Sequence, residues 1–574
     1  MRGSRERTRR RGALRPERPV GQAGHLLPLL PLVRDSAGPD PGDPDRRHPR
    51  PTRRRARRTR VGSPCGPAPS PRWVECRPTA RREPVSDYVL AIDAGTTGVT
   101  VLLFDRDAAV VRKAYSEFAQ HYPKPGWVEH DAEEIWAVTQ RLIGEVIGEA
   151  GPERIAAVGI TNQRETTVLW DAETRTPFHR AIVWQCRRTA ERCQALAAHA
   201  EEISRKTGLV LDAYFSATKL EWLLEHAEGA RAAAEAGRAR FGTIDTWLVD
   251  RLTAGASHAT DPTNASRTLL YDIHARRWDD GLLSLFGVPR SVLPEVKPSA
   301  GTFGVTAGDV FGAEVPIAGI AGDQQAALFG QGCVRPGAAK NTYGTGCFAL
   351  LNAGSDPVRS ERGLVTTLGC DARGAPVYCL EGSVFIGGAV VQWLRDELRL
   401  VGDAAETEAH ARAVADNGGV YFVPAFVGLG APHWDQDARG LICGLTRGSG
   451  RDHVVRAALE SIAYQSRDLI EALQADSGVR LSALKVDGGA CKNDFLMQFQ
   501  ADVLGIPVVR PKNIETTAQG AAFLAGLGSG FWSSFEEVER VLAVDRTWEP
   551  TMSADERTRL LAGWEAAVAR ARSR

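Results

Sequence analysis

Tyr88-Val89-Leu90-Ala91-Ile92-Asp93 is a short run of apolar, β-favouring residues that ends on a carboxylate. Ala94-Gly95-Thr96-Thr97-Gly98 interrupts the run and Val99 to Asp105 resumes it, which predicts strand, tight glycine turn, strand. Ala108 to Phe118 predicts a third strand of the same meander. A helix is predicted over about 131–149, with Asp131 as its N-cap and Glu134 three residues on. Ile155 to Thr161 predicts another buried strand. The theme then returns. Lys340 to Leu351 again predicts strand, small-residue turn, strand, with Val377 to Leu380 and Gly382 to Ile386 continuing it. Helical periodicity follows at about 387–400 and 451–475. The chain therefore divides into two similar α/β halves joined near 320–340, and halves that face each other create a cleft where ligands bind.

Composition changes this picture at one end. Residues 1–85 carry 22 arginines, no lysine and 8 acids, a net charge of +14, and hold 15 of the 32 prolines. The remaining 489 residues carry 49 bases and 62 acids, a net of −13, so the total of +1 conceals two unlike segments. An arginine- and proline-rich stretch repels itself and buries too little apolar surface to offset its ordering entropy, so 1–85 is expected to be a disordered extension, and the native chain is expected to start near Val85. A targeting peptide and a basic arm for anionic partners are the other readings of that stretch. The mildly acidic remainder argues against a nucleic-acid partner, and the lack of a run of about 18 apolar residues argues against a membrane span. The ten cysteines form no CxxC pair and no zinc-spaced cluster with histidine, so they read as reduced core residues of a cytoplasmic chain.

Three small-residue turns carry candidate chemistry. In Asp93-Ala94-Gly95-Thr96-Thr97-Gly98, backbone N–H groups and threonine hydroxyls can hydrogen-bond a phosphate, and Asp93 can hold Mg²⁺ through water; the alternative is an ordinary hairpin capped by threonine. Gly344-Thr345-Gly346 offers the same chemistry from the other half. In Val486-Asp487-Gly488-Gly489-Ala490-Cys491-Lys492-Asn493 a strand ends in paired glycines before a helix at about 493, a flat seat for a base or ribose; a plain strand–helix turn is the alternative. The three in order predict a split nucleotide site, while the absence of GxxxxGK[ST] excludes a Walker-type loop. For the acceptor, Thr161-Asn162-Gln163-Arg164-Glu165-Thr166-Thr167 sets a donor fork beside a carboxylate, suited to a polyol hydroxyl unless the two form a surface ion pair. In Ile320-Ala321-Gly322-Asp323-Gln324-Gln325, Asp323 is either a helix N-cap or a general base.

These stretches are similar to the FGGY family of carbohydrate kinases, in its glycerol-phosphorylating branch, over about 86–574. Pro123 to His130, Gly159 to Thr167, Ile182 to Thr189, Gly319 to Gly332, Lys340 to Phe348 and Pro424 to Trp434 carry the resemblance. It implies two ribonuclease-H-like (actin-like ATPase) α/β domains flanking a catalytic cleft, here 86–332 for acceptor and phosphate and 333–574 for nucleotide. It implies ATP-dependent phosphorylation of glycerol to sn-glycerol 3-phosphate with Mg²⁺, the first step of glycerol catabolism, in a cytoplasmic homo-oligomer (dimer or tetramer). By matching motif, Arg164, Glu165, Asp323 and Gln324 bind glycerol hydroxyls, Trp184, Tyr214 and Phe348 line the site, and Asp323 is the general base. Thr96 and Thr97 match the first phosphate contacts, Gly344 and Thr345 the second, Gly388 and Gln392 further nucleotide contacts, and Gly489 and Asn493 the adenosine end.

The chain departs from the family pattern in places. Ala94 and Thr100 stand where bacterial members often carry Gln and Arg, which implies altered phosphate affinity. The loop Gly312 to Pro316 lacks the Gly-Gly-x-x-Arg feature linked to fructose 1,6-bisphosphate inhibition, and segment 550–560 does not match the regulator-docking surface of enteric relatives. A relative acting on a longer polyol or ketose is the alternative within the family, and a non-catalytic sugar sensor on the same fold is the alternative outside it.

Overall fold

The computed structural model describes residues 86–573; the expectations for 1–85 fall outside the described residues. The first sheet is built from β1 (Tyr88–Ala94), β2 (Gly98–Phe104), β3 (Val110–Glu117), β4 (Ile155–Asn162), β5 (Ala300–Val305) and β6 (Pro316–Gly322), in the order β5-β6-β4-β1-β2-β3. β1 pairs antiparallel with β2 and parallel with β4, and β4 pairs parallel with β6. Val89 to Ile92 are completely buried, as expected of a central strand covered on both faces. Between β3 and β4, α1 (Ala132–Ile147) is capped as the sequence predicts: the Asp131 carboxylate accepts from the backbone N–H groups of Glu133 and Glu134. It buries Ile135, Trp136, Thr139, Leu142, Ile143 and Val146, one helical face, against the sheet.

After α2 (Asp323–Gly330) the second sheet opens. Its strands are β7 (Ala339–Tyr343), β8 (Cys347–Gly354), β9 (Val365–Cys370), β10 (Pro376–Val384), β11 (Leu484–Asp487), β12 (Val508–Pro511) and β13 (Val544–Trp548), in the order β9-β10-β8-β7-β11-β12-β13. The core of this order, β10-β8-β7-β11-β12, repeats β3-β2-β1-β4-β6, with the first three strands antiparallel and the rest parallel. Two copies of that arrangement define paired ribonuclease-H-like lobes, as in actin-like ATPases. The two strands expected over 377–386 are one continuous β10: Glu381 breaks the apolar run, yet the strand passes through because the carboxylate is paired.

The helices of the second lobe include α3 (Ala389–Asp396), α4 (Arg451–Ser477) and α5 (Asp494–Leu504). The chain then returns to the first lobe. The helix α6 (Thr516–Ser529) lies on β4 and β6 and against α2, sharing a core of Val89, Ala91, Ala157, Ala318, Ala518, Ala522 and Phe523. A Cβ on Gly520 would collide with the Ala326 carbonyl, so glycine is what allows α6 to sit this close to α2. Thr516 at the start of α6 donates to the Asp487 carboxylate of β11, which ties the helix to the second lobe as well. No described helix is long and apolar enough to cross a membrane.

Candidate active site

The acceptor side is built where β4 stops. Gln163 donates its backbone N–H to the Ala94 carbonyl at 2.8 Å, and its side-chain amide donates to the Gly95 carbonyl at 2.9 Å, so the loop after β4 is laced to the turn after β1. Glu165 holds φ of 61°, a sparsely populated conformation for a non-glycine residue and one that clusters at functional sites. Arg164 and Glu165 are 3% and 1% exposed, so they are not a surface ion pair. Across the loop, Asp323 is the first residue of α2. The N-cap position is Gly322, and the Asp323 carboxylate accepts from the Gln324 backbone N–H at 2.7 Å, so Asp323 also serves the first turn of the helix. Its side chain stays 30% exposed towards the cleft with Oδ1 3.1 Å from Arg164 Nε. Arg164, Glu165 and Asp323 therefore meet at one place, with Arg164 Nε 3.9 Å from Glu165 Oε1.

Aromatic groups and amides close this site. Trp184 donates its indole N–H to Thr96 Oγ1 at 3.0 Å and meets the Tyr214 ring edge-to-face at 5.5 Å. Burial, with Glu165 adding, pushes the Tyr214 phenol well above its usual range, so it stays a neutral donor. Lys219 Nζ donates to the carbonyls of Ala213, Tyr214 and Phe215, which fixes the loop that carries Tyr214. Gln324 accepts from Lys340 Nζ at 2.5 Å, and the same ammonium reaches Thr342 Oγ1 and the Phe348 carbonyl, so Gln324 and Phe348 are held from one point.

The first glycine turn is closed by a bond from Gly95 N–H to the Gly98 carbonyl, and the second by one from Gly344 N–H to the Gly346 carbonyl. A neutral histidine braces the first. Burial lowers His130 to about 4, and its ring joins Gln120 at 2.7 Å and Gln163 at 3.3 Å, while Gln120 in turn donates to the Thr96 carbonyl. The second turn is tied to the start of α3 by Gly387 N–H to the Thr345 carbonyl and Gly388 N–H to the Gly344 carbonyl, each at 2.8 Å. A cavity of about 540 Å³ opens beyond it. Gly344, Thr345, Gly388, Gln392, Gly489 and Asn493 all line it. Asn493 also caps α5 through Leu496 N–H, so its structural and site-lining readings coincide.

Asp93 is the penultimate residue of β1. Burial pushes its carboxyl up to about 7, Asp323 and Glu515 push in the same direction, and only Lys113 opposes; no hydrogen-bond donor lowers it. A divalent cation would relieve that repulsion, and Mg²⁺ takes one or two carboxylates with water and phosphate oxygens completing its shell. Asp93 thus fits Mg²⁺. Among the described residues no group of three or more His, Cys, Asp or Glu side chains forms an all-protein metal cage. The eight described cysteines are all free.

Sequence reasoning missed Arg267 and Glu381. Both touch the acceptor residues, but each is a lone charge in an otherwise unremarkable stretch, and their contacts span more than a hundred residues of chain. Their one sequence trace is the charge that interrupts the apolar run of β10.

Two ribonuclease-H-like lobes around a buried acid-and-arginine cluster define a class, and comparison with known proteins gives it a family. The N-terminal domain profile of the FGGY family of carbohydrate kinases matches residues 88–330 and the C-terminal domain profile matches 339–529. The chain belongs to the FGGY family of carbohydrate kinases. It is 59% identical over 490 residues to the glycerol kinase of Petrotoga mobilis, covering 85% of this chain and 98% of that one. It is 58% identical over 489 residues to the glycerol kinase of Aeromonas salmonicida, with 84% and 98% covered. Among solved structures, Plasmodium falciparum glycerol kinase with ADP superposes with a TM-score of 0.81 at 37% identity, covering 85% of this chain and 98% of that one.

Proposed function

We propose that this protein transfers the γ-phosphoryl group of ATP to a terminal hydroxyl of glycerol, giving sn-glycerol 3-phosphate and ADP. The observation that carries the reading is the convergence of part-exposed Asp323 with buried Arg164 and Glu165. Identities of 58–59% to proteins named glycerol kinase, along nearly their whole length, support the choice of acceptor.

Phosphoryl transfer to an alcohol demands mostly positioning and charge neutralisation. A small triol offers little apolar surface, so Arg164, Glu165 and the Gln324 amide supply selectivity by hydrogen bonding its hydroxyls, with Trp184 and Phe348 against its carbon edge. Asp323 accepts the proton of the terminal hydroxyl as that oxygen forms its bond to the γ-phosphorus and the bond from phosphorus to the bridging oxygen of ADP breaks. Thr96 and Thr97 from one lobe and Gly344 and Thr345 from the other hold the phosphates in line with that oxygen. Gly388 and Gln392 sit along the nucleotide, and Gly489 and Asn493 at its adenosine end. Mg²⁺, bound through Asp93 and water, would neutralise phosphate charge. Closure of the lobes excludes water, which otherwise competes as acceptor. A cytoplasmic setting, where ATP is supplied, and a dimer or tetramer accompany this reading.

The test couples the reaction to an NAD-linked dehydrogenase that oxidises only sn-glycerol 3-phosphate. Glycerol- and ATP-dependent NADH formation is the expected result. ADP release without NADH formation would contradict the assigned product.

A further inference from the structure

Arg164 does not stand alone behind the acceptor. Its Nη1 donates to Glu381 Oε2 at 2.5 Å and to Gln325 Oε1 at 3.2 Å, and its Nη2 donates to Glu381 Oε1 at 2.9 Å. Glu381 lies in the middle of β10, in the second lobe, whereas Arg164 follows β4 of the first. Arg267 joins them: its Nε donates to Glu165 Oε1 at 2.5 Å and its Nη2 to Glu381 Oε1 at 3.1 Å. All four side chains are no more than 4% exposed. Burial alone would raise the Glu381 carboxyl, but Arg164 and Arg267 outweigh it and hold it at about 2; at Glu165 burial wins and pushes the carboxyl up, with Arg267 and Arg164 opposing.

Stability does not account for such a group. Buried ion pairs return little more than their desolvation cost, and apolar side chains of similar volume serve as well or better. What the quartet supplies is direction. With both Nη groups held, Arg164 keeps its Nε beside Asp323 and one Nη2 hydrogen uncommitted. With Oε1 taken by Arg267, Glu165 keeps Oε2 uncommitted. Arg164 and Glu165 thus keep one donor and one acceptor, fixed by side chains from both lobes, while Arg267 Nη1 is buried without a partner.

Building on the glycerol kinase reading, we propose that Arg267 and Glu381 are positioning residues for the acceptor: a buried strut between the lobes that aims Arg164 and Glu165 at its hydroxyls and touches none of the reacting atoms itself. A site built to hydrogen-bond a hydroxyl rejects an analogue lacking it by as much as ~10⁴-fold, because its polar groups are then left unpaired. Loosening the aim should erode that discrimination before it erodes chemistry.

The experiment measures kcat and KM for glycerol, 1,2-propanediol and 1,3-propanediol, and KM for ATP, in the full chain and in Glu381→Gln and Arg267→Lys. In both variants the glycerol KM should rise at least tenfold and the preference for glycerol over at least one diol should shrink at least tenfold, while the ATP KM stays within about twofold. A uniform loss on all three acceptors with preferences unchanged would overturn the proposal, as would a lowered Tm with glycerol KM unchanged. If one variant does not fold, the other carries the comparison; if neither folds, the quartet is a structural core and the proposal fails. Absence of glycerol turnover by the unaltered protein would instead remove the functional reading beneath it.

Discussion

The cluster around Arg164 and the cavity beside Gly344 are lined differently. Around Arg164 the walls are charges: Glu165, Arg267, Glu381 and Asp323 lie within hydrogen-bond or ion-pair reach of one another and are almost all buried. Around the 540 Å³ cavity the walls mix glycine backbone at Gly344, Gly388 and Gly489 with apolar side chains such as Leu459, Ile462 and Leu496, and its charges, Arg395, Glu408 and Lys492, are not locked into one buried cluster. The difference follows from the ligands. A small polyol can be recognised only through its hydroxyls, so its site must hold pre-aimed donors and acceptors. A nucleotide brings its own charge and a flat base, so its site needs space, exposed N–H groups and shape. Errors on the acceptor side should therefore cost specificity or chemistry, and errors on the nucleotide side should cost ATP affinity.

The largest break in that division is expected at Asp323, which faces the cleft beside Arg164. Asp323→Asn keeps shape and removes the base, so kcat should fall about 10²–10⁴-fold with circular dichroism unchanged; a loss under tenfold would mean the hydroxyl proton leaves by another route. On the other side, a Cβ at Gly388 would approach the Gly344 carbonyl to 2.8 Å. Gly388→Val should raise the ATP KM at least tenfold and leave the glycerol KM within about twofold; an equal rise in both would show that the two sides are not separable. Trp184 is where they touch, since its indole N–H donates to Thr96 of the first glycine turn. Trp184→Phe keeps the ring and loses that bond, about 1 kcal/mol or roughly fivefold in kcat/KM, and both substrates should feel it. A change confined to glycerol would remove the link.

The smallest expected effect is on stability against pH. Glu381 titrates at about 2 in the folded protein, below the ordinary 4.5. Because the folded state holds the proton less tightly, the stability this carboxylate supplies is complete above about pH 4.5 and is lost as pH falls towards 2. Glu381→Gln should flatten the acid limb of the Tm–pH curve below pH 4.5; parallel curves for the two proteins would contradict the ion pairing.

The repeated strand–turn–strand openings were readable from residues 88–105 and 340–351 because buried central strands are continuous apolar runs and the turns need small residues. Asp323, Arg164 and Glu165 stood out because charges directly after apolar strands have few reasons to be there. Arg267 and Glu381 did not, since a buried ion pair leaves no mark on local periodicity and its partners lie over a hundred residues apart. The return of α6 to the first lobe was equally hidden: the alanines and glycines of Thr516–Ser529 state that something packs closely, but not what. Local pattern reaches elements and motif residues; the pairings that hold the lobes together are a property of the folded chain.

The most direct test of the account is the rate of ADP release by the unaltered protein with glycerol, dihydroxyacetone, xylulose and gluconate, with Asp323→Asn as the blank. The acceptor site proposed on Arg164, Glu165, Trp184 and Phe348 predicts the highest kcat/KM with glycerol and little turnover of xylulose or gluconate. Faster phosphorylation of xylulose or gluconate than of glycerol would contradict it.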